Sequence, residues 1–454
     1  MVQVSARKRI WGWWFFDWAS QPYHTLLVTF VFSPFFAAVA ADHFMALGAG
    51  AEAAKAEAQT LWSRCLTLTG LTIGLLAPFV GAMADGSGRK LPWIGGFSAL
   101  YVLGALGLWF MDPGGSNLYL MLISFGVGFI GAEFAAIFVN AQLPSLGKRD
   151  AVGAISGSGF AFGYLGGVLS LFIMLLLFVE QANGKTLIGL DPIFGLDAAA
   201  REGTRAVGPI VALWFVIFML PYALWVRDPA VSGRRLSPGQ AVGRVVQSVK
   251  ALRHRKSLAA FLAGSMLYRD ALNGLYAFGG VYARLVLEWE ITQIGVFGII
   301  AAISAAAFSW LGGIADRRFG PKPVIVTAIL VLMAVCAVVV GMSREQLFGI
   351  PLAAGSPVPD AVFFICGVLI GGFGGILQAA SRTLMVRHTA SHAAAESFGL
   401  YGLSGRATAF LAPLLIGIAT TISESARLGM APLIVLFVLG LLLLGWVRAE
   451  GDQG

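Results

Sequence analysis

The chain has 454 residues, 58% of them hydrophobic and only 12% charged, with a mean hydropathy of +0.81. A soluble domain carries about 25% charged residues to solvate its surface, so this composition excludes a soluble enzyme, a disordered chain and a secreted disulfide scaffold. The formal net charge of +8 does not signal nucleic acid: the basic residues fall between apolar runs, and no basic patch is interleaved with exposed aromatics.

Apolar runs long enough to cross a bilayer, about 20 residues each, lie in chain order near 11–40, 61–84, 91–111, 117–144, 152–179 and 207–226. A second set follows near 258–286, 292–315, 323–342, 360–386, 397–422 and 428–447. The expected fold is an all-α integral membrane protein with twelve transmembrane helices in two pseudo-symmetric six-helix bundles. The first run follows Arg7, Lys8 and Arg9 as a signal peptide would, but a signal core is about 7–15 residues long. This run is roughly twice that and contains Asp17, Pro22 and His24, so it reads as a retained span.

Of the 31 basic residues, Arg269, Arg284, Arg382 and Arg406 lie within spans, seven lie in the odd-numbered gaps or, as Arg64 does, at the edge of one, and 20 lie at the termini and in the even-numbered gaps. The positive-inside bias therefore places both termini in the cytoplasm. The longest cytoplasmic connection, 227–257, divides the chain into an N-terminal bundle (1–226) and a C-terminal bundle (258–454). Within it Val242, Val245, Val246, Val249 and Leu252 recur at helical spacing among basic residues. That is the pattern of an amphipathic helix lying on lipid.

Cys65, Cys336 and Cys366 sit inside apolar runs and are odd in number, which excludes a disulfide framework. No metal-ligand pattern is expected; His388 and His392 have helical spacing but no third ligand, and read as a solvated loop. No phosphate-binding loop is present and no cofactor is expected.

Between spans 2 and 3 the chain reads Gly81, Asp85, Gly88, Arg89, Lys90, and between spans 8 and 9 it reads Gly312, Asp316, Arg317, Arg318, Gly320, Lys322. Glycine lets helices approach, while an acid and bases can pair and re-pair as a gate. The repeat resembles the loop motif of the major facilitator superfamily, whose members share two six-span halves. The first copy fits the pattern closely, and the second carries one extra residue.

Charged groups inside lipid are costly and tend to face a partner or a polar path. Asp17 and His24 lie in span 1, Glu133 in span 4, Arg269 and Asp270 in span 7, Arg382 in span 10 and Arg406 in span 11. The resemblance implies that spans 1, 4, 7 and 10 line the path. Asp270, Glu133 and Arg406 are deepest, which marks the two carboxylates for substrate or proton binding and the arginine for a substrate carboxylate. Asp17 and Arg382 lie near the cytoplasmic end, where each could snorkel or join a structural ion pair, and they stand as further candidates for substrate or proton binding. Gln378 and Asn273, with Gln21, Tyr23, Asn140, Tyr276, Ser381, Tyr401 and Ser404, supply uncharged donors and acceptors nearby. Glycines at 153, 157, 159, 163 and 167, and at 367, 371 and 375, read as close-packing faces.

Four segments narrow the resemblance: Asp17-Trp18-Ala19-Ser20-Gln21-Pro22-Tyr23, Tyr268-Arg269-Asp270, Gln378 to Arg382, and Phe398-Gly399-Leu400-Tyr401 with Ser404-Gly405-Arg406. Together they resemble the autophagy-related vacuolar permease branch of the superfamily. The chain departs from its pattern at Ser20, Pro22 and Ala271, and Glu133 and His24 have no match there. The resemblance implies a transporter, not an enzyme, for a small polar solute such as an amino acid, in a bacterial inner membrane; proton coupling is expected through Asp270 or Glu133, and a monomer is expected. Its expected partners are the solute, protons and membrane lipid, with no nucleic acid. The rival expectations are an exporter of amphipathic drugs, lipids or siderophores, and a non-transporting membrane sensor or scaffold.

Overall fold

The computed structural model describes residues 4–87, 89–140, 142, 146, 152–228, 239–240, 243, 246, 250, 252–388, 401–402, 404–405 and 407–450. Among them nine helices are long and apolar enough to cross a membrane: Ala6–Ala46, Ala51–Ala77, Leu91–Phe110, Leu118–Asn140, Glu202–Trp225, Ile291–Asp316, Pro321–Gly341, Val358–Met385 and Leu428–Gly445. Ala161–Leu177 and Leu411–Ser423 are shorter apolar helices. The helix Lys256–Leu285 is 30 residues long, and Arg269, Asp270 and Asn273 make its centre more polar than its neighbours. The chain is thus a multi-pass helical membrane protein.

Proline shapes the first segment. Pro22 offers no N–H to the Trp18 carbonyl four residues back. The Trp214 indole N–H donates to that carbonyl instead, at 3.1 Å. Directly after Pro22 the backbone widens into a π-helix over Tyr23–Phe30, closed by the Val31 N–H donating to Leu26 O at 2.9 Å. A π segment of this kind is rare and is often found at functional sites. A new helix, Phe32–Ala46, then completes the segment.

The chain folds as two compact units: residues 1–39, 75–243 and 290–295, and residues 40–74, 244–289 and 296–454. In the first, Ala6–Pro22 packs along Val152–Leu177 and Val207–Trp225, and Leu91–Gly107 packs along Leu118–Asn140. In the second, Lys256–Leu285 packs along Leu411–Ser423 and Pro432–Gly445, and Pro321–Gly341 packs along Val358–Arg387. The same order of pairings recurs, which is the internal repeat expressed in packing. The second unit also holds the first half of the helix Ala51–Ser87. There the Gln59 amide donates to Thr420 Oγ1 at 2.7 Å and to Ala426 O at 2.9 Å, and the Ser63 hydroxyl donates to Pro413 O.

Three sequence expectations need correction. The second helix starts at Ala51, ten residues before the apolar run, because Glu52, Lys55 and Glu57 interrupt the hydropathy without interrupting the helix. The glycine–aspartate motif lies on helix ends rather than in loops: Gly81 and Asp85 belong to Ala51–Ser87, and Gly312 to Arg318 belong to Ile291–Phe319. His388 is fully buried, not solvated. A carbonyl can only accept, so its Nδ1–H donates to Leu384 O at 2.9 Å, which leaves Nε2 to accept from the Ser257 hydroxyl at 2.7 Å. Its ring stacks on Phe261 with centroids 5.6 Å apart. His392 and most of the expected amphipathic helix in 227–257 lie outside the described residues, although 239–240, 243, 246 and 250 are helical.

Candidate translocation site

In the first unit the π segment and the helix Leu118–Asn140 bring two of the expected residues together. His24 Nε2 stands 3.5 Å from Glu133 Oε1, with the imidazole 41% and the carboxylate 22% exposed. The Phe129 ring meets His24 edge-on at 5.8 Å. Next to it Tyr23 is buried, and its hydroxyl donates to Phe125 O at 2.6 Å, which pins the π segment to the neighbouring helix. An imidazole and a carboxylate at this distance inside a membrane segment can share or pass a proton.

Asp17 is placed differently. It is half-buried on the seam between Ala6–Pro22 and Val152–Leu177, where a methyl on Gly159 would stand 2.8 Å from its carboxylate. Gly159 and Gly163 leave room there for the aspartate and the adjoining indoles of Trp13 and Trp14.

In the second unit three consecutive residues of Lys256–Leu285 reach three different partners, because successive positions on a helix point about 100° apart. Tyr268 is buried, with its hydroxyl 2.8 Å from Ser381 Oγ on Val358–Arg387. The Arg269 guanidinium lies over the Tyr401 ring, 4.3 Å from its centroid, and donates to the Tyr401 carbonyl at 3.3 Å. A side chain at Gly405 would stand 2.7 Å from that guanidinium, so glycine allows the approach. Asp270 is 2% exposed, and its Oδ2 accepts the Ala412 N–H at 2.8 Å. Arg269 and Asp270 therefore serve different neighbours. Gln378 and Arg382 are half-buried on Val358–Arg387, Asn273 is exposed on Lys256–Leu285, and Arg406 lies outside the described residues.

Of the motif residues, Gly81 is half-buried, Arg89 is exposed, and the Asp85 and Arg317 side chains lie outside the description. The Lys90 N–H donates to Asp228 Oδ1 at 3.0 Å, and the Leu91 N–H to Asp228 Oδ2 at 3.2 Å, so Asp228 caps the helix Leu91–Gly107. In the second copy Gly312 is buried, and the Lys322 ammonium donates to Val447 O at 2.6 Å. Asp316 makes no ion pair among the described residues, and its Oδ1 is shielded without a hydrogen-bond partner. Asp228 thus ties the start of Leu91–Gly107 to the segment after Val207–Trp225 in the first unit, and Lys322 ties the start of Pro321–Gly341 to the segment after Pro432–Gly445 in the second.

Sequence reasoning missed Asp228 and also Glu180. The Glu180 side chain is 1% exposed, 2.7 Å from Arg201 Nε, and accepts the Thr204 hydroxyl at 2.6 Å. The signal was present as an acid and a base at opposite ends of one gap, but nothing in the order of residues says that they meet.

A model of the family described as "Vacuole effluxer Atg22 like" matches residues 5–453. The uncharacterized MFS-type transporter YxiO of Bacillus subtilis (strain 168) is 24% identical over 442 residues, 97% of this chain and 94% of that protein. Autophagy-related protein 22 of Yarrowia lipolytica is 23% identical over 324 residues, 66% of this chain but only 51% of the fungal protein. This chain therefore spans about half the length of that relative. A solved D-xylose-proton symporter is similar in fold, with a TM-score of 0.64 at 12% identity and 98% of each chain covered. Fold and matches together define a membrane transporter of the major facilitator class. Within that class the chain belongs to the Atg22-like family.

Proposed function

We propose that this protein is a secondary active transporter that moves a small polar organic solute, an amino acid or similar zwitterion, by alternating access, with protons as the coupling ion. The observation that carries this reading is the His24–Glu133 pair at 3.5 Å within membrane segments of the first unit. Such a pair is an acid–base couple within membrane segments and still partly exposed, which suits proton exchange better than the near-complete burial of Asp270. Arg269, whose guanidinium lies over the Tyr401 ring 4.3 Å from its centroid, is a second intramembrane cation, in addition to Arg406, for a substrate carboxylate. A family of effluxers and an MFS-type relative support the transport reading. The symporter similarity supports a fold compatible with proton coupling.

The same proposal includes twelve spans: the nine long apolar helices, the two shorter ones, and Lys256–Leu285. It retains the two six-span bundles joined by 227–257, both termini in the cytoplasm, a monomer and a bacterial plasma membrane. A second reading, export of amphipathic compounds, draws on the aromatic cluster of Trp11, Trp14, Trp18, Phe162, Trp214 and Phe218 in the first unit.

Counterflow in proteoliposomes preloaded with a mixed amino-acid pool separates the two. Saturable exchange of one labelled amino acid, reduced at least tenfold by Arg406→Ala or Arg269→Ala, is the expected result (about 1.4 kcal/mol or more). A folded protein that exchanges no amino acid but releases a lipophilic cation would support export instead.

A further inference from the structure

The helix Leu411–Ser423 begins inside an apolar run rather than at a loop. Residues 401–402, 404–405 and 407 are already helical, 408–410 form a turn, and the helix then restarts. Pro413 explains the break, since its ring clashes with the Ala409 carbonyl and offers it no N–H. The Leu411 N–H falls back to Thr408 O at 2.8 Å, a short-range bond. The Ala412 N–H, whose helical acceptor would also have been Thr408 O, donates to Asp270 Oδ2 at 2.8 Å.

Asp270 therefore binds the positive N-terminal end of a half-helix with one oxygen. Its other oxygen, Oδ1, is shielded from solvent and has no hydrogen-bond partner, and the same holds for Thr408 Oγ1. Among the described residues no cationic side chain pairs with the Asp270 carboxylate, which is 2% exposed. Two shielded oxygens without partners, one of a carboxylate bound at the start of the half-helix and one of a hydroxyl in the turn before it, thus belong to one break in a membrane helix, where Pro413 also denies the Ala409 carbonyl its helical donor. Each buried oxygen without a donor is costly. One proton on Oδ1 makes one bond, whereas a hard cation seated at the break could draw on the carboxylate, the hydroxyl and the carbonyl together and balance the buried charge.

We propose that this break seats a monovalent cation of sodium's size, held by Asp270 Oδ1, Thr408 Oγ1 and the Ala409 carbonyl. Oδ2 stays on the Ala412 N–H, so the ion and the half-helix share one carboxylate. Binding at the site is independent of transport, and only its use as a second coupling ion rests on the transporter reading. The proton is left to His24 and Glu133.

The test uses the purified full-length protein, comparing sodium chloride with choline chloride at equal ionic strength. It reads the thermal midpoint and the binding of radiolabelled sodium. The wild type is expected to gain about 2–5 °C at saturating sodium, with saturable binding of the label. Asp270→Asn should abolish both effects. Because Asp270→Asn also weakens the hold on Ala412, Thr408→Val serves as the second variant; it keeps that bond and should weaken sodium binding about tenfold. A wild type indifferent to sodium, or a sodium response that survives intact in either variant, overturns the site. Sodium binding in a protein that exchanges no solute would leave the site standing and sink the transport reading. Solute exchange without sodium binding would do the reverse.

Discussion

His24 and Glu133 come from segments more than a hundred residues apart, and the structure sets His24 Nε2 3.5 Å from Glu133 Oε1. The imidazole sits in the π segment after Pro22, where the backbone is widened and the Thr29 hydroxyl donates to the His24 carbonyl at 3.0 Å. If this pair carries the coupling proton, Glu133→Gln should abolish uphill accumulation driven by a pH gradient while leaving counterflow exchange within about twofold of wild type (less than about 0.5 kcal/mol). His24→Ala should show the same split. Loss of counterflow together with accumulation would assign the pair to substrate binding or to structure.

Asp228 accepts backbone N–H groups from Lys90 and Leu91, and the Gln142 amide donates to it at 3.4 Å. Asp228→Ala leaves the start of Leu91–Gly107 uncapped and should cost about 0.5–2 kcal/mol. Asp228→Asn keeps one acceptor oxygen but loses the charge, and should cost less. Thermal midpoints of the two variants in one detergent measure the difference; equal midpoints for Asp228→Ala and wild type would mean that the cap contributes nothing.

Helix approach makes a separate prediction. A methyl on Gly371 would collide with the Ala301 carbonyl, a backbone atom that cannot swing away. Gly371→Ala should destabilise by about 1–3 kcal/mol through forced separation of the two helices. Gly279 has open space around it in the helix Lys256–Leu285. Gly279→Ala should therefore be neutral or stabilising by roughly 0.5–1 kcal/mol. Similar gains for both variants would show that propensity, not packing, dominates here.

Outside the membrane segments, Asp112 organises the turn before Leu118–Asn140. Its carboxylate accepts the Ser116 hydroxyl at 2.5 Å and the Gly114 and Ser116 N–H groups at 3.0 and 3.2 Å. The Ser116 hydroxyl, then those two N–H groups, hold its pKa below the ordinary carboxylate value. A depressed folded-state pKa means that the turn is favoured at pH above the ordinary value and loses that support as pH falls through the depressed one. Hydrogen exchange at Gly114 and Ser116, corrected for intrinsic rate, should lose protection as the solution is acidified below about pH 4. Asp112→Ala should remove the dependence; protection that stays flat in the wild type would refute it.

Much of the molecule was legible along the chain because hydropathy is a local property. A run of apolar residues must be shielded from water wherever it sits, and the membrane helices follow from that alone. The repeat was legible for the same reason, since one glycine–aspartate–basic cluster appears in two equivalent gaps. The errors have a common cause in partners that are remote in sequence. Ala51–Thr60 looked polar, yet Lys55 pairs with Glu52 at 3.4 Å and with Glu288 at 3.3 Å, the second a partner 233 positions away in the chain. His388 looked solvated, but Ser257 and Phe261 bury it from more than a hundred residues away.

The candidate site divides along the same line. Composition and order determined that ionisable residues stand within membrane segments, because a charge among apolar neighbours is visible in one dimension. They also place Pro22 inside the first apolar run. Only the tertiary structure decided what each charge meets: His24 its Glu133, Arg269 the face of Tyr401, and Asp270 the start of a half-helix rather than the arginine beside it. Neighbouring residues on a helix point in different directions, and hydrogen bonds form over about 3 Å. Which partners come within that reach depends on how whole helices pack.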